Sequence, residues 1–322
     1  MIQETQTVPP VFNRERDTPK LQRLSEKGVW IGTSSWTYDG WRDSVYLGDY
    51  SGPRSPFVQK KFKEHSLEEY VQAFSYVCFD GSYYQFPTQK SLDTYASVIP
   101  NHFQFSFKVN QDITLPYHRT GPQRGTRNSD FLNPNAFIAK VLTPFADTFK
   151  NKLGIIIFEF SAFYFESRNC KYSAHNFVKD LEEFLQAIPH DGYKYAIEVR
   201  DPQLLDPSFM EYRDCLRKYS VAHILNEQER MPPIAEQMNM PGILTSDFTV
   251  IRAMTLRGES HDQAENKFAP FTTIKRLLPN MRKAISTVIK ESLLQRRQVF
   301  VSVSNCTEGN APNTIAGVLD LL

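Results

Sequence analysis

Charged side chains interrupt several otherwise apolar runs, and their spacing is the first pointer to chemistry. Glu198 and Arg200 stand two apart in AIEVR. In an extended strand that spacing puts them on one face, about 6.5 Å apart and within reach of each other. A buried glutamate–arginine pair is costly to desolvate, so one at a strand end suggests a site; an ion pair that merely closes the structure is the other reading. Arg252 sits inside VIRAM and, if buried, must meet a carboxylate or an anionic ligand. If Arg200 is the partner of Glu198 while Arg252 awaits an anion, losing Arg200 should cost the more stability. Lys108 in FSFKVN shares a face with Gln104 and Ser106, opposite Phe103, Phe105 and Phe107. It is either a site group or a lysine that carries its head out to solvent. Asp80, Glu159 and Glu198 could offer oxygens to one divalent ion, but three scattered carboxylates are a weak metal signature. We take Glu198, Arg200 and Asp80 as candidate catalytic residues, with Lys108, Glu159 and Arg252 as ligand contacts.

Trp36, Tyr38 and Trp41 crowd one loop, and Tyr83 and Tyr84 close another run. Such rings can stack a sugar or a base, or they can roof a core. Trp36, Tyr38 and Tyr84 are the ligand candidates among them. Further on, Asn305 and Glu308, also taken as ligand contacts, precede Gly309–Asn310–Ala311–Pro312 and a helix start. Free N–H groups there could hold a phosphate or carboxylate, although Pro312 removes one donor; Asn305 capping the turn is the plainer reading. The stretch with His118, Arg119, Arg124 and Arg127 against Asp112 and Asp130 is a solvated basic loop or an anion-collecting lid. The seven histidines make no HxH, HxxxH or HExxH spacing, so zinc chemistry finds no support. GTSSW lacks the GxSxG elbow, and Cys78 on an apolar run reads as a packed small hydrophobe. No metal and no cofactor is expected.

Those residues need elements to carry them. Short β-branched or aromatic runs, apolar on both faces, occur at 29–33, 76–80, 103–109, 153–160, 194–199, 221–225, 248–254 and 299–303. That is the pattern of strands in a covered parallel sheet. Helical patterns lie between them. Ser66 and Glu69 have capping-box spacing before an apolar run, 176–188 repeats at helical period, Pro279 should break 271–295, and Pro312 fits a first turn. Eight strand–crossover units predict an α/β fold, a (β/α)8 TIM barrel with a closed parallel sheet. An open doubly wound sheet is disfavoured, because the first strand-to-helix loop has no glycine-rich phosphate fingerprint. The long connections 34–65 and 110–133 would then lie on the C-terminal face, where barrels bind substrates. Residues 1–25 read as a polar lead that need not be ordered, and 26–322 as one domain.

With 322 residues, 41% hydrophobic and 23% charged, the chain can bury a sizeable core and is not largely disordered. The 37 basic and 36 acidic side chains leave a net charge of +1, which gives no global case for a nucleic-acid or membrane partner. Cys78, Cys170, Cys215 and Cys306 form no CxxC pair, and the N-terminus has no apolar signal region. A reducing cytoplasm is the expected compartment. The aromatic share, 13%, is best explained first by packing.

Four segments are more distinctive: IGTSSWTYDGW at 31–41, FSYVCFDGSYYQFP at 74–87, IEVRDP at 197–202 and SNCTEGNAPNT at 304–314. In this order they resemble the YecE-like family, domain of unknown function 72, with looser matches in FKVNQDIT (107–114) and VIRAMTLRG (250–258). The resemblance spans about 29–322. It implies a TIM barrel distantly similar to endonuclease IV and xylose isomerase barrels, and no established activity. Departures fall at strand ends. Cys78 and Asp80 stand where the family has Glu and Asn, Gln85 replaces Arg, Glu159 replaces Gln, Ser161 replaces Pro, and Leu204 and Leu205 lie where Trp is usual.

Three functions are expected in turn. The first is an enzyme or binding barrel for a small anionic or polyhydroxylated molecule, such as a phosphorylated sugar. The second is a phosphodiester-directed enzyme on nucleic acid, weakly supported by the 10 basic against 4 acidic side chains in 252–297. The third is a non-catalytic binding protein. The sequence carries no signal of a membrane partner or of oligomeric state.

Overall fold

The computed structural model describes residues 9–118, 122–149, 151–161 and 172–322; Arg119 and Cys170 lie outside these. Eight parallel strands close into a ring in chain order: β1 Val29–Ser34, β2 Tyr76–Phe79, β3 Gln104–Lys108, β4 Leu153–Phe160, β5 Tyr195–Val199, β6 Ala222–Glu227, β7 Phe248–Ala253 and β8 Gln298–Val303. The expected TIM barrel is present, and each strand lies within two residues of its apolar run. Closure comes from β8 pairing with β1, Val29 opposite Val299 through Thr33 opposite Val303. Gly32 is required where β1 runs beside β2: a Cβ there would sit 1.9 Å from the carbonyl oxygen of Tyr76.

Alternation along each strand divides the core in two. Inside the barrel, Tyr76, Cys78, Ile155, Ile157, Ala196, Ile224, Val250 and Phe300 fill the lumen, with Trp30 stacked on Phe300 at the lower end. Outside, Phe105, Phe107, Phe158, Ile197, Leu225 and Val301 pack against the helices. The barrel is therefore a packed core, and only its ends are open to chemistry.

Helices end where the sequence has stop signals, with instructive exceptions. Ser173 caps Ala174–Ala187 by accepting from the amide of Asn176. Pro279 does not break a helix but begins one, Pro279–Leu294. Ser66 does not open a helix. It is buried inside Gln59–Ala73, and Glu69 instead accepts from the amides of Leu47 and Gly48, pinning the first loop. The polar lead is also structured from Phe12 onward. Arg14–Glu26 forms a helix capped by Asn13, while Phe12 stacks on Phe74 and donates its amide to Asn313. Between β3 and β4, Tyr117 bridges to Arg127 around Gly125, whose φ of +82° lies in the left-handed region. Among the described residues, no helix is long and apolar enough to cross a membrane.

Candidate functional site

The inward-facing positions change character at the C-terminal ends of the strands. Below are hydrocarbons; above are Asp80, Lys108, Glu159, Glu198, Arg200 and Arg252, brought together from five strands or the turns after them. Strand register places Glu159 directly beside Glu198. Two like charges so placed repel unless bridged, and Arg200 bridges them: its Nη2 lies 2.7 Å from Glu159 Oε2 and 3.0 Å from Glu198 Oε1. Arg252 supplies the other half. Its Nη1 donates to Glu198, its Nη2 lies 2.6 and 2.8 Å from the two oxygens of Asp80, and its Nε reaches Ser302 at 3.4 Å. Lys108 pairs with Glu159 and lies 4.4 Å from the centre of the Tyr83 ring.

Three cations thus meet three carboxylates. Local turns aim them. The hydroxyl of Ser82, in the turn after β2, bonds both the carbonyl and the amide of Lys108, locking Asp80's turn to the end of β3. Burial works against charge on Glu198, but Arg252, Arg200 and Lys108 outweigh it and hold the carboxyl down at about 2. Burial likewise opposes the Lys108 ammonium, yet Glu159 and Asp80 raise its pKa. Arg252 is raised well above its ordinary value by Asp80 and Glu198 against burial. Burial pushes the Cys78 thiol up, as expected for a packed thiol rather than a nucleophile. The side chains of Arg252 and Glu198 are fully buried, while Arg200 and Asp80 keep 23% and 24% of theirs exposed. Arg200 and Asp80 are accordingly the groups through which solvent, or a ligand, meets the network.

The remaining candidates are distributed differently. Trp36 is buried among Phe79, Tyr95 and Phe105, in the layer between barrel and helices, and so is a core ring rather than a stacking platform. Tyr38 packs on Trp41 and Phe271, its phenol pushed up by burial and by Asp80 and Cys306 nearby. Tyr84 is 75% exposed and meets the edge of Tyr83, whose face Lys108 covers. Asn305 serves as a brace: its Oδ1 accepts from Trp41 Nε1 at 3.1 Å and from the amide of Ala311 at 2.8 Å. Glu308 is turned away to Arg282, at 2.6 Å, and to the amide of Leu278, and is not a ligand contact at the mouth. The expected anion cradle at the last helix is also used up. The amides of Ala311 and Asn313 are taken by Asn305 and Asn310, and Pro312 has none. Arg124 and Arg127 are exposed and enter no ion pair among the described residues.

Two polar groups were missed from sequence. Asn226 is buried beside Arg252 in the register, its Nδ2 donating to Val199 and its Oδ1 without a partner. Ser302 faces Arg252 from β8. Period-two alternation from Ile224 and Phe300 would have found both, had the sixth strand been carried two residues further.

As a metal centre the cluster is poorly suited. Each of its carboxylates is hydrogen-bonded to a cation, and the three do not converge on one point; among the described residues only the exposed His261, Asp262 and Glu265 do so. Purified protein is expected to carry well under one zinc per chain, because a lone exposed histidine with two carboxylates is a weak zinc donor set. Elemental analysis finding stoichiometric zinc would reverse this and move phosphodiester chemistry to the front.

A closed parallel barrel with its charged cluster at the C-terminal ends of the strands defines a TIM-barrel protein with its polar residues at the usual mouth. Residues 30–322 match the model of the family described as protein of unknown function DUF72, and the chain belongs to that family. It is 27% identical over 184 residues to the UPF0759 protein YunF of Bacillus subtilis, a match covering 57% of this chain and 54% of that protein. The chain therefore spans about half the length of this curated relative. Two crystal structures of DUF72 family proteins share the fold. The one from Enterococcus faecalis superposes with a TM-score of 0.62 at 15% identity, over 91% of this chain and 95% of that one. The one from Thermotoga maritima gives 0.58 at 19%, over 91% and 97%.

Proposed function

We propose that the barrel mouth binds a small polyhydroxylated molecule, neutral or carrying a single negative charge. The observation that supports this most is the balanced network of three cations and three carboxylates, with Arg200 and Asp80 its partly exposed members. A doubly charged phosphate needs positive charge that is not already neutralised. To gain it here, the ligand would have to strip a carboxylate from its buried partner, at a cost of several kcal/mol. Sugar-like hydroxyls face no such conflict, since each can donate to Asp80 and accept from Arg200. The exposed ring of Tyr84, 5.3 Å from the Tyr83 ring that Lys108 covers, offers an apolar face.

Binding is favoured over acid–base catalysis. Glu198, held down at about 2, and Lys108, raised from an already high value, do not change protonation near neutral pH, so neither makes an efficient proton carrier there. An aqueous cell compartment, with no membrane partner, fits this reading.

Calorimetry and thermal melts with neutral polyols, sugar phosphates and inorganic phosphate test the proposal. Neutral polyols are expected to bind and to raise the melting temperature, and Arg200→Ala or Asp80→Asn is expected to weaken them at least tenfold. Stabilisation by inorganic phosphate but by no polyol would replace this reading with an anion site. No effect from any of them would leave the network a purely structural closure of the barrel.

A further inference from the structure

A pocket lies outside the barrel wall, on the opposite face of β6 from Asn226. Alternation along β6 turns Asn226 inward and Glu227 outward, toward the helix layer. The carbonyl of Glu227 accepts from the amides of Met254 and Thr255, which fixes the residue at the strand end. Its carboxylate accepts from the amide of Ile234 through Oε2 at 3.2 Å. The other oxygen accepts no hydrogen bond among the described residues, and no lysine, arginine or histidine among them pairs with either. Yet the residue is only 7% exposed.

Glu227 lines a cavity of about 340 Å³, whose other walls are largely hydrocarbon from Pro233, Ile234, Leu256, Leu278 and Met281. A carboxylate on a residue this deeply buried, with no counter-cation, is unfavourable. Burial, with Glu236 adding to it, accordingly raises its pKa against the opposing amide of Ile234. A divalent metal does not answer this need, because hard cations want several oxygens and here there is one carboxylate among carbons. An organic ammonium does: its charge meets Glu227 and its carbon body meets the walls.

We propose that this cavity is a binding site for a compact hydrophobic ammonium ion, anchored by Glu227. The volume lies within the usual range for small-molecule pockets, near its lower end, which limits the ligand to fragment size. The charge sets orientation and selectivity, while the apolar walls supply most of the area removed from water. The site is independent of the barrel mouth, since it uses the other face of the strand.

Calorimetry on the full chain with cyclohexylammonium, cyclohexanol and cyclohexanecarboxylate tests it. Cyclohexylammonium is expected to bind one per chain, at least tenfold more tightly than the alcohol, with the carboxylate not binding. Glu227→Gln keeps the shape of the side chain, and is expected to remove the tenfold preference while leaving cyclohexanol binding and the circular dichroism spectrum unchanged. Ala284→Leu, which puts carbon into the cavity from the wall of Pro279–Leu294, is expected to abolish binding of both. Equal affinity for amine and alcohol in the wild type, absence of amine binding, or a preference that survives Glu227→Gln would each overturn the proposal.

Discussion

Arg252→Ala is expected to destabilise the protein by about 3–5 kcal/mol, the cost of breaking a buried ion-pair network by removing its fully buried cation. Arg252 is fully buried and donates to both Asp80 and Glu198, and Glu198 is itself fully buried. Its removal takes the bidentate cation from Asp80 and leaves the fully buried Glu198 with the partly exposed Arg200 alone. Arg200→Ala is the natural comparison. Its side chain is 23% exposed, Glu198 retains Arg252, and Glu159 retains Lys108. The loss is then nearer that of charged hydrogen bonds partly replaced by water, about 1–3 kcal/mol. This order is the reverse of the one read from sequence, where Arg252 was the arginine left to await an anion. Arg252 proves to be the keystone, because the strand ends converge around it and not around Arg200. Urea unfolding of the two variants decides the matter: a larger loss in Arg200→Ala would show that the network does not depend on the buried guanidinium.

Acidification is expected to weaken the fold in two successive windows. His223 is buried on the outer face of β6 with Tyr212 Oη 3.1 Å from Nδ1, and burial lowers its pKa from 6.5 to about 4. Between those values the unfolded chain binds a proton that the folded chain refuses. The stability that His223 contributes is therefore complete above about 6.5 and lost as pH falls toward 4. Glu198 follows, its carboxyl held at about 2 against an ordinary 4.5. Its contribution is present above about 4.5 and lost as pH falls toward 2. Each window carries on the order of 3 kcal/mol. Urea midpoints measured from pH 7 down to pH 2 are expected to fall in both ranges. His223→Gln, which does not titrate there, is expected to flatten the upper range and leave the lower one. A stability that stays level from pH 7 to pH 4 in the wild type would mean that His223 is not held neutral.

The eight strands were legible because burial on both faces leaves a local mark. LGIIIFEF and VIRAM have no polar side to give to water, so a covered parallel strand is the arrangement that accounts for them. Alternation also sorted Lys108 from its phenylalanines and set Glu198 on the face of Arg200, since both are consequences of a two-residue period. Even the polar exceptions were visible as charges embedded in apolar runs.

Which charge meets which was not visible. Asp80 and Arg252 are 172 positions apart, and their contact depends on barrel closure, strand register and the turn that Ser82 ties to Lys108. No periodicity within one segment carries that information. Short motifs failed for the same reason. Ser66 and Glu69 have the spacing of a helix cap, yet packing buries Ser66 and extends the helix back to Gln59. Glu308 stands beside a helix start, yet Arg282 claims it from a neighbouring helix. Local sequence determined the elements and the faces they present, because propensity and burial act over a few residues. The tertiary structure alone decided the partners, because a buried charge is satisfied by whichever opposite charge the fold brings within about 3 Å.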